Sequence, residues 1–406
     1  MSHKRDKKVS VIGLGYIGLP TAALLSSEGF EVQGMDVSSH VVDTINRGEI
    51  HIVEPDLDAY VHSAVSNGML KASTEVKPAD IFILCVPTPF HQNNGIPMPN
   101  IDYVKAAAKN ISGHLKPGNI VILESTSPVG TTDAIKEVLT NEGVNVDAIF
   151  IAYCPERVLP GKIMFELVQN DRVIGGVNAE STKVVASFYR NFVKGNILET
   201  QARTAEMCKL TENSFRDVNI AFANELSMIC ENNGVNIWEL IKLANHHPRV
   251  NILQPGTGVG GHCIAVDPWF IVSGDPDNAK LIKQAREVND SKPNWVAEKI
   301  AQKANEIEKA DPKVACLGLS FKPDIDDLRE SPAIEVAKAL KALNFDVICV
   351  EPNIETHCDF SIKSMEYALK EADVIAILVA HKEFRSELNL ELLKGSEVLD
   401  FCGALI

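Results

Sequence analysis

Residues 9–18 read VSVIGLGYIG and place glycines at Gly13, Gly15 and Gly18, in the spacing GxGxxG. A β-branched run precedes the first glycine and an apolar run with helical spacing follows the last, which predicts a strand, a tight turn and a helix. Such a unit needs a residue without a side chain at three places: in the tight turn, where a pyrophosphate approaches the backbone, and where the helix packs closely on the strand. The stretch therefore predicts a dinucleotide-binding unit at the start of the chain.

The next predicted strand ends in Asp36, at about the ~20-residue distance at which such units carry an acid for the ribose hydroxyls. Its negative charge would repel a 2′-phosphate, so NAD is expected rather than NADP. The alternative at this point is a glycine-rich turn that binds no ligand. Thr88 and Thr126 follow two later strands at the same sheet edge, where a turn or helix-capping role is as good an explanation for either residue alone.

The order of elements along the chain predicts an α/β fold with two Rossmann-like, doubly wound parallel-sheet domains joined by a central all-helical domain. Strand-like and helix-like runs alternate in the first half, fade between about 204 and 289, and return near the end. A long helix near 291–308 is the expected connection. The predicted domains are a dinucleotide-binding Rossmann domain at 1–200, a helical domain at 201–298, and a smaller Rossmann-like domain at 299–406.

Composition narrows the classes of partner. With 45% hydrophobic and 23% charged residues, the 406-residue chain is typical of globular proteins, and it has neither a signal-like start nor an apolar run of membrane-spanning length. A cytoplasmic protein is expected. The net charge of −15 argues against nucleic acid or an anionic membrane as a partner, so an anionic substrate would need a local basic pocket. The nine cysteines show neither a disulfide framework nor a zinc spacing, so reduced thiols and no metal are expected.

A glycine-rich segment at 256–267, GTGVGGHCIAVD, brings a thiol next to flexible backbone. Most single cysteines are small buried hydrophobes. Here four glycines precede Cys263, and Asp267 follows it, which makes Cys263 a candidate nucleophile. His262 lacks a second pair of ligands at zinc spacing, so we expect it to position the loop or contact substrate.

Polar side chains in the helical segment 204–233 recur at steps of four and three residues, at Lys209, Asn213 and Arg216. This spacing places them on one helical face, which either contacts a ligand or is a solvated surface; spacing alone favours neither. A positive stripe would lower the pKa of a nearby thiol. Glu156 follows a predicted strand and could act as a base, although a solvated loop residue is the ordinary role of such a glutamate.

Seven long motifs resemble one family, the UDP-sugar 6-dehydrogenases, and within it the bacterial UDP-N-acetyl-mannosamine dehydrogenases that make a uronic acid for surface polysaccharides. The match runs nearly from end to end. The motifs are VIGLGYIGLPTAA from Val11, RGEIHIVEPDL from Arg47, ILESTSPVG from Ile122, AYCPERVLPG from Ala152, RTAEMCKLTENSFRDVNIAFANELS from Arg203, HPRVNILQPGTGVGGHCIAVDPWF from His247 and FKPDIDDLRESPA from Phe321.

The resemblance implies site residues, position by position. It implies Cys263 as the nucleophile, Lys209 as the acid/base or oxyanion-stabilising group supported by Asn213 and Asp267, and Glu156 as an aid to thioester hydrolysis. The implied cofactor contacts are Gly13, Gly15, Tyr16, Ile17, Gly18, Asp36, Thr88, Thr126 and Arg329. The implied substrate contacts are Arg157, Val158, Lys209, Asn213, Arg216, His247, Arg249, Gly260, Phe321 and Lys322.

The same resemblance implies a four-electron oxidation of UDP-N-acetyl-D-mannosamine through a thiohemiacetal and a thioester on Cys263. It implies a homodimer or higher homo-oligomer built through the central helices, with Arg249 reaching the site of the partner subunit. One position departs from the family: Cys402 stands where a basic residue is usual, in Asp400-Phe401-Cys402-Gly403. A lost substrate contact or a different sugar preference would follow from that change.

Two other classes of protein share part of this pattern. A single-step dehydrogenase of small hydroxy acids has a similar first domain and often a lysine in its helical domain, but has no use for Cys263 or a third domain. A non-catalytic NAD-binding protein would bind cofactor without turnover. Within the family, UDP-N-acetyl-glucosamine or UDP-glucose are the alternative substrates, and the epimer of the sugar does not follow from the sequence.

Overall fold

The computed structural model describes residues 7–93, 96–261, 263–386 and 395–406. The chain divides into two compact units, Met1–Thr211 and Glu212–Ile406, and the division falls inside one long helix. Among the described residues, no helix is long and apolar enough to cross a membrane.

The first unit is built on a sheet of eight strands, in the order β10-β9-β8-β7-β4-β1-β2-β3. Its elements are β1 (Lys8–Ile12), α1 (Gly18–Ser27), β2 (Glu31–Met35), α2 (Ser39–Asn46), α3 (Leu57–Ser66), β3 (Leu70–Ser73), β4 (Ile81–Leu84), a hairpin of β5 (Phe90–Asn93) and β6 (Ile96–Pro99), α4 (Asp102–Ser112), β7 (Ile120–Leu123), α5 (Thr131–Asn141), β8 (Phe150–Tyr153), α6 (Ile163–Gln169), β9 (Arg172–Gly176), α7 (Ala179–Tyr189) and β10 (Ile197–Gln201).

The central strands explain why this sheet forms. β4 and β7 read IFIL and IVIL and are fully buried, as expected for parallel strands covered by helices on both faces. The order β3-β2-β1-β4-β7-β8 is that of a dinucleotide-binding sheet, with the strand order reversing beside β1. The fold class predicted from the sequence is confirmed here.

The far edge of this sheet differs from the predicted parallel arrangement. β9 pairs antiparallel with β8, and β10 then pairs parallel with β9. The sequence pattern did not indicate β9 or β10, because β10 is mostly exposed and β9 ends in two glycines, so neither forms a long apolar run.

The second unit consists of helices followed by a smaller sheet. The long helix α8 (Ala202–Asn233) enters it and is followed by α9 (Ile237–Ala244), α10 (Asp267–Gly274), α11 (Lys280–Asn305), β11 (Lys313–Leu317), α12 (Pro332–Ala342), β12 (Asp346–Val350), α13 (Met365–Glu371), β13 (Val374–Ile377), α14 (Lys382–Ser386) and β14 (Glu397–Asp400). The four strands are parallel, in the order β12-β11-β13-β14.

The connecting helix is longer than predicted. The sequence suggested a separate helix near 291–308, whereas α11 is a single helix with Pro293 inside it. Proline lacks an N–H group and normally breaks a helix. Here Val296 and Ile300 are fully buried in the core of the second sheet, and this packing outweighs the lost hydrogen bond.

Both sheets use the same turn after their first strand. Gly13 and Gly318 both have positive φ angles, of 89° and 94°. The amide of Leu14 donates to the Asp36 carboxylate at 2.9 Å, and the amide of Leu319 donates to Glu351 at 2.7 Å. The second sheet therefore repeats the glycine and carboxylate geometry of a nucleotide-binding unit.

Candidate active site

The glycines of the first turn have the contacts that a dinucleotide cradle requires. A Cβ atom on Gly13 would lie 2.7 Å from the carbonyl oxygen of Cys85, and one on Gly18 would overlap the carbonyl of Gly13. Gly15 has no neighbouring atom within 4 Å of that position. Two glycines thus allow close packing, and the third leaves open space through which a pyrophosphate can approach the backbone.

Asp36 lies at the carboxyl end of β2 beside this turn. One carboxylate oxygen accepts from the amide of Leu14 and the other from the amide of Ser38, each at 2.9 Å. These bonds hold the carboxylate at the sheet edge, and each oxygen keeps a further lone pair that a ribose hydroxyl can reach. The residues present therefore fit NAD.

Four other predicted cofactor residues occupy the same unit. Tyr16 and Ile17 lie in the turn before α1, with Tyr16 43% exposed. The hydroxyl of Thr88 donates to the carbonyl oxygen of Thr126 at 2.6 Å. The structure thus joins two residues that the sequence placed only at neighbouring strand ends.

Glu156 follows β8, and one of its carboxylate oxygens accepts from the amide of Val158. Desolvation by the surrounding protein raises the pKa of Glu156 to about 7, against the opposing attraction of Lys209 and Arg172. A carboxyl group with this pKa exchanges protons near neutral pH, which suits a general base. Arg157 donates to the carbonyl oxygen of Asp171 at 3.1 Å.

Sequence reasoning missed the buried charges around Glu156. Arg172 is 2% exposed and lies beneath the loop, with its guanidinium 3.5 Å from the carbonyl oxygen of Pro155. Glu124, at the end of β7, accepts from the hydroxyl of Tyr189 at 2.5 Å. Both are single polar residues next to apolar strands, and only their burial distinguishes them from surface charges.

Lys209 is buried on α8, one turn after another residue that the sequence reasoning missed. Glu206 accepts from the amides of Gly130 and Thr132 at 2.6 and 2.8 Å, and from the Thr132 hydroxyl at 2.6 Å. It thereby caps the N-terminus of α5 with a carboxylate. The start of α8, and with it Lys209, is fixed against the first sheet.

Further along α8, Asn213 lies four residues after Lys209 and donates to Asp267 at 2.5 Å. Asp267 is buried and begins α10. Arg216, the third member of the predicted stripe, is exposed. The structure therefore joins Asn213 to Asp267, two residues 54 positions apart in the sequence.

Cys263 lies in the turn that leads into α10 and is exposed. Its carbonyl oxygen accepts from the amides of Val266 and Asp267, at 3.1 and 2.9 Å. The turn thus fixes Cys263 relative to the Asn213–Asp267 pair. Burial raises the pKa of five other thiols, those of Cys85, Cys154, Cys316, Cys349 and Cys402.

The glycine-rich loop before Cys263 packs against the segment that follows β11. A Cβ on Gly260 would collide with the carbonyl of Glu330, and one on Gly261 would lie 2.8 Å from the ring of Phe321. The amide of Gly261 donates to the carbonyl of Arg329 at 3.3 Å. The predicted residues Gly260 and Phe321 are therefore neighbours, and a larger side chain at Gly260 does not fit.

The remaining predicted residues of the second unit lie at the surface. Lys322 is exposed, and Arg329, a predicted cofactor contact, forms an ion pair with Asp327 at 2.6 Å. His247 and Arg249 occupy an exposed loop after α9, where the amide of Arg249 donates to His247 at 3.3 Å. His262 lies outside the described residues.

Cys402 does not replace the basic residue expected at its position. Its thiol lies 3.6 Å from the carboxylate of Asp400, which accepts the amides of Cys402, Gly403 and Leu405 at 3.0, 2.8 and 2.9 Å. Burial and the charge of Asp400 raise the pKa of this thiol far above its ordinary value. A neutral, half-buried thiol therefore occupies this end of the second sheet.

Three profiles of one family match successive parts of the chain. The NAD binding domain of the UDP-glucose/GDP-mannose dehydrogenase family matches residues 7–193. The central domain of that family matches residues 203–291, and its UDP binding domain matches residues 315–405. The three matches cover the cradle, the helix α8 with the Cys263 turn, and the second sheet.

Relatives of known name match over nearly the whole chain. UDP-N-acetyl-D-mannosamine dehydrogenase of Campylobacter jejuni is 54% identical, over 97% of this chain and 99% of its own. NDP-N-acetyl-D-galactosaminuronic acid dehydrogenase of Ralstonia nicotianae is 52% identical, over 98% and 96%. The solved structure of the UDP-D-ManNAc dehydrogenase of Pyrococcus horikoshii superimposes with a TM-score of 0.90 at 38% identity, covering 98% of this chain and 96% of that one.

Proposed function

Because the chain belongs to the UDP-glucose/GDP-mannose dehydrogenase family, we propose that it oxidises the primary alcohol of UDP-N-acetyl-D-mannosamine to the carboxylate. The observation that carries the proposal is the fixed group of Asn213, Asp267 and the exposed Cys263 at the start of α10. A dehydrogenase that stops at an aldehyde or a ketone has no need of a thiol held in this way.

The first half of the reaction makes an aldehyde and captures it. Bound NAD⁺ supplies the hydride acceptor for each of the two oxidations. The substrate hydroxyl passes its proton to solvent, and the buried Lys209 stabilises the alkoxide that forms, since a positive charge acts strongly in a poorly hydrated site. The thiolate of Cys263 then attacks the aldehyde carbon to form a C–S bond, and the aldehyde oxygen takes up a proton from solvent to complete the thiohemiacetal. Capture prevents the loss of the aldehyde.

The second half releases the acid. The thiohemiacetal gives up a hydride to bound NAD⁺ and its hydroxyl proton to solvent, which leaves a thioester on Cys263. Water then attacks the carbonyl carbon of the thioester. Glu156, in its ionised form, takes the proton from that water, and the C–S bond breaks to return the thiolate and leave the uronate. Asn213, held by Asp267, can donate to the oxyanion formed in each half.

The sugar is proposed from the relatives. Campylobacter jejuni, Yersinia pestis and Escherichia coli relatives named UDP-N-acetyl-D-mannosamine dehydrogenase are 54%, 52% and 52% identical to the chain. The relative named for N-acetyl-D-galactosaminuronic acid, at 52%, makes the galacto-configured sugar the second candidate. Both names describe an acetamido sugar, which favours an N-acetyl-hexosamine over glucose.

The phosphates of the substrate need positive charge in a chain whose net charge is −15. We propose Arg157, Arg216 and Lys322 for this role, together with Arg249 from a second copy of the chain. Val158, His247, Gly260 and Phe321 complete the proposed substrate site. Arg329, which pairs with Asp327, is the proposed cofactor contact of the second unit. The proposed domains are 1–200, 201–298 and 299–406, and each contains one family match.

We also propose that two copies associate through α8. Phe215, Phe222 and Ile229 recur at intervals of seven residues and are 68%, 52% and 49% exposed. Seven residues are two helical turns, so the three form one apolar stripe. A second copy of α8 is a matching occupant, because it presents the same stripe in a symmetric pair.

The test is the yield of NADH per mole of substrate consumed, with UDP-N-acetyl-mannosamine, UDP-N-acetyl-galactosamine, UDP-N-acetyl-glucosamine and UDP-glucose offered separately. Two equivalents with the mannosamine sugar are expected. Two equivalents with another sugar alone would keep the reaction and replace the substrate. One equivalent would contradict the thioester step, and none would favour a protein that binds NAD without turnover.

A further inference from the structure

A chain of buried amides connects two helices to the first residue of the glycine-rich loop. Asn224, on α8, accepts from the amide of Gly256 at 2.9 Å and donates to the side chain of Asn289, on α11, at 2.9 Å. Asn289 in turn donates to the carboxylate of Asp217 at 2.8 Å and to its carbonyl oxygen at 3.1 Å. Asn224 and Asn289 are at most 1% exposed.

The partners fix which way each amide points. A main-chain N–H can only donate, so the atom of Asn224 that faces Gly256 is its oxygen, and its NH₂ group faces Asn289. Both oxygens of Asp217 near Asn289 are acceptors, so Asn289 presents its NH₂ group to them and its oxygen to Asn224. Arg286 donates to Asp217 at 2.6 Å and pairs with Asp290, so the row of hydrogen-bonded amides ends in an ion-pair cluster.

The loop after Gly256 has little stiffness of its own. Residues 256, 258, 260 and 261 are glycines, and Gly258 and Gly261 have positive φ angles of 141° and 81°. Glycine backbone is freer than that of any other residue, so the loop takes its shape from what holds it. Gly258 packs against the carbonyl of Asn289, where an added Cβ would lie 3.2 Å away. Asn289 therefore contacts the loop as well as Asn224.

We propose that the buried pair of Asn224 and Asn289 positions Cys263, by tying the start of its loop to α8 and α11. The proposal rests on the proposed function, because it concerns the capture of the aldehyde by Cys263. Neither asparagine touches substrate, so both are positioning residues. Their loss should impair the capture step more than the first oxidation.

The first variant is Asn224→Ala, which leaves the amide of Gly256 without its acceptor. We expect the yield of NADH to fall from two towards one per substrate, with free aldehyde trapped by a hydrazine reagent, and KM for NAD⁺ unchanged. Simple loss of folded protein would lower the rate but keep the yield at two. Asn305→Ala, an exposed asparagine on the same helix as Asn289, is the control and should match the parent protein.

The second variant, Asn224→Asp, tests the hydrogen bonds themselves. A protonated Asp keeps both an acceptor for Gly256 and a donor for Asn289, whereas an ionised Asp loses the donor and faces the oxygen of Asn289. The charged groups around this position are Asp217 on α8 and Arg286, Asp290 and Lys292 on α11. The two carboxylates raise, and the two cations lower, the pKa of such a carboxyl. Lys292 donates to Ser227, whose hydroxyl donates to the carbonyl oxygen of Asn224, and burial lowers the pKa of Lys292 to about 7, so the parent protein measured at each pH corrects for its titration. Relative to the parent protein at each pH, we expect aldehyde release to be small at pH 6 and to rise several-fold by pH 9.

These outcomes separate the two proposals. A parent protein that yields one NADH contradicts the proposed function whatever the variants do. If the parent yields two, a yield of two from Asn224→Ala, with no trapped aldehyde, overturns the positioning role. If Asn224→Ala does not fold, Asn224→Asp provides the test. Aldehyde release by Asn224→Asp that equals the release by the parent protein at every pH would also overturn the positioning role.

Discussion

Glu156 shows how burial can create a base from an ordinary carboxyl group. Taking the carboxyl out of water raises its pKa to about 7, even though Lys209 and Arg172 attract the charged form. Desolvation therefore prevails over two positive neighbours. The shift gives Glu156 a basicity useful at neutral pH, which a solvated glutamate lacks.

Glu156→Gln should stop the reaction at its last step. The amide cannot take a proton from water, so the thioester would accumulate on Cys263. Rapid mixing should show a burst of two NADH per site, followed by turnover on the order of 10²- to 10⁴-fold slower, as for other lost general bases. Intact-protein mass spectrometry should detect the acylated chain. Glu180→Gln, an exposed residue of α7, is the control.

The pH dependence has a definite sign. Because the pKa of Glu156 is raised to about 7 and its ionised form is the base, the rate of thioester hydrolysis should be highest well above pH 7, half-maximal near pH 7, and lower as the pH falls further. An acidic limb near 4.5 instead would mean that Glu156 is solvated during turnover. In Glu156→Gln the limb near 7 should disappear.

The sequence was informative about residues that sit in special local patterns, such as Gly13, Gly15 and Asp36. It could not indicate Arg172, Glu206 or Asn224, because their roles depend on partners far away in the chain. Glu206 caps a helix that begins 75 residues earlier, at Thr131, and Asn224 meets Gly256 32 residues later. The spacing of residues along the sequence does not indicate contacts between residues that are so far apart.

At the scale of elements, α8 has two distinct parts. Its first turns hold Glu206 and Lys209 against the first sheet, and its later turns carry the apolar stripe of Phe215, Phe222 and Ile229. Periodicity predicted the helix itself well, over 204–233 against the observed Ala202–Asn233. The sequence did not predict which face of α8 packs against other parts of the protein, because polar and apolar residues alternate around much of the helix.

Phe222→Lys tests the stripe. A charge at the centre of an apolar interface loses its hydration, so the dimer should dissociate into monomers at micromolar concentration, as measured by analytical ultracentrifugation. Phe165→Lys is a matched control, since Phe165 lies on α6 and is 66% exposed. A Phe222→Lys protein that keeps the parent's mass would place the interface elsewhere.

At the scale of the whole molecule, the chain has a separate hydrophobic core in each of its two units. The cores of the first sheet contain Val11 and Ile122, and those of the second contain Val314 and Ile375. The two parallel sheets and most of their buried strands were predictable, because such strands are continuous apolar runs, whereas the two-stranded hairpin of β5 and β6 was not predicted. The reversed strands β9 and β10 were also not predictable, because β9 ends in two glycines and the edge strand β10 is mostly exposed, so neither is a long apolar run.

Calorimetry should therefore resolve two unfolding transitions. NAD⁺ should raise the unfolding temperature of the first unit only, and UDP that of the second unit only. At a hundred times its Kd, each ligand adds about 2.7 kcal/mol to the free energy of unfolding of the unit that binds it. The physical reason is that a ligand stabilises the unit that contains its site. A single transition raised by both ligands would show that the chain unfolds as one cooperative body.

The cysteines have a consequence for oxidative damage. Peroxides and alkylating drugs attack thiolates, and the raised pKa values of Cys85, Cys154, Cys316, Cys349 and Cys402 keep these thiols protonated at neutral pH. Cys263 and Cys358 are the exposed sulfurs. An oxidant in solution therefore reaches Cys263 and Cys358 most directly, and the sulfenic acid that it forms there is reversed by a reductant. The same selectivity makes Cys263 an accessible target for a covalent inhibitor.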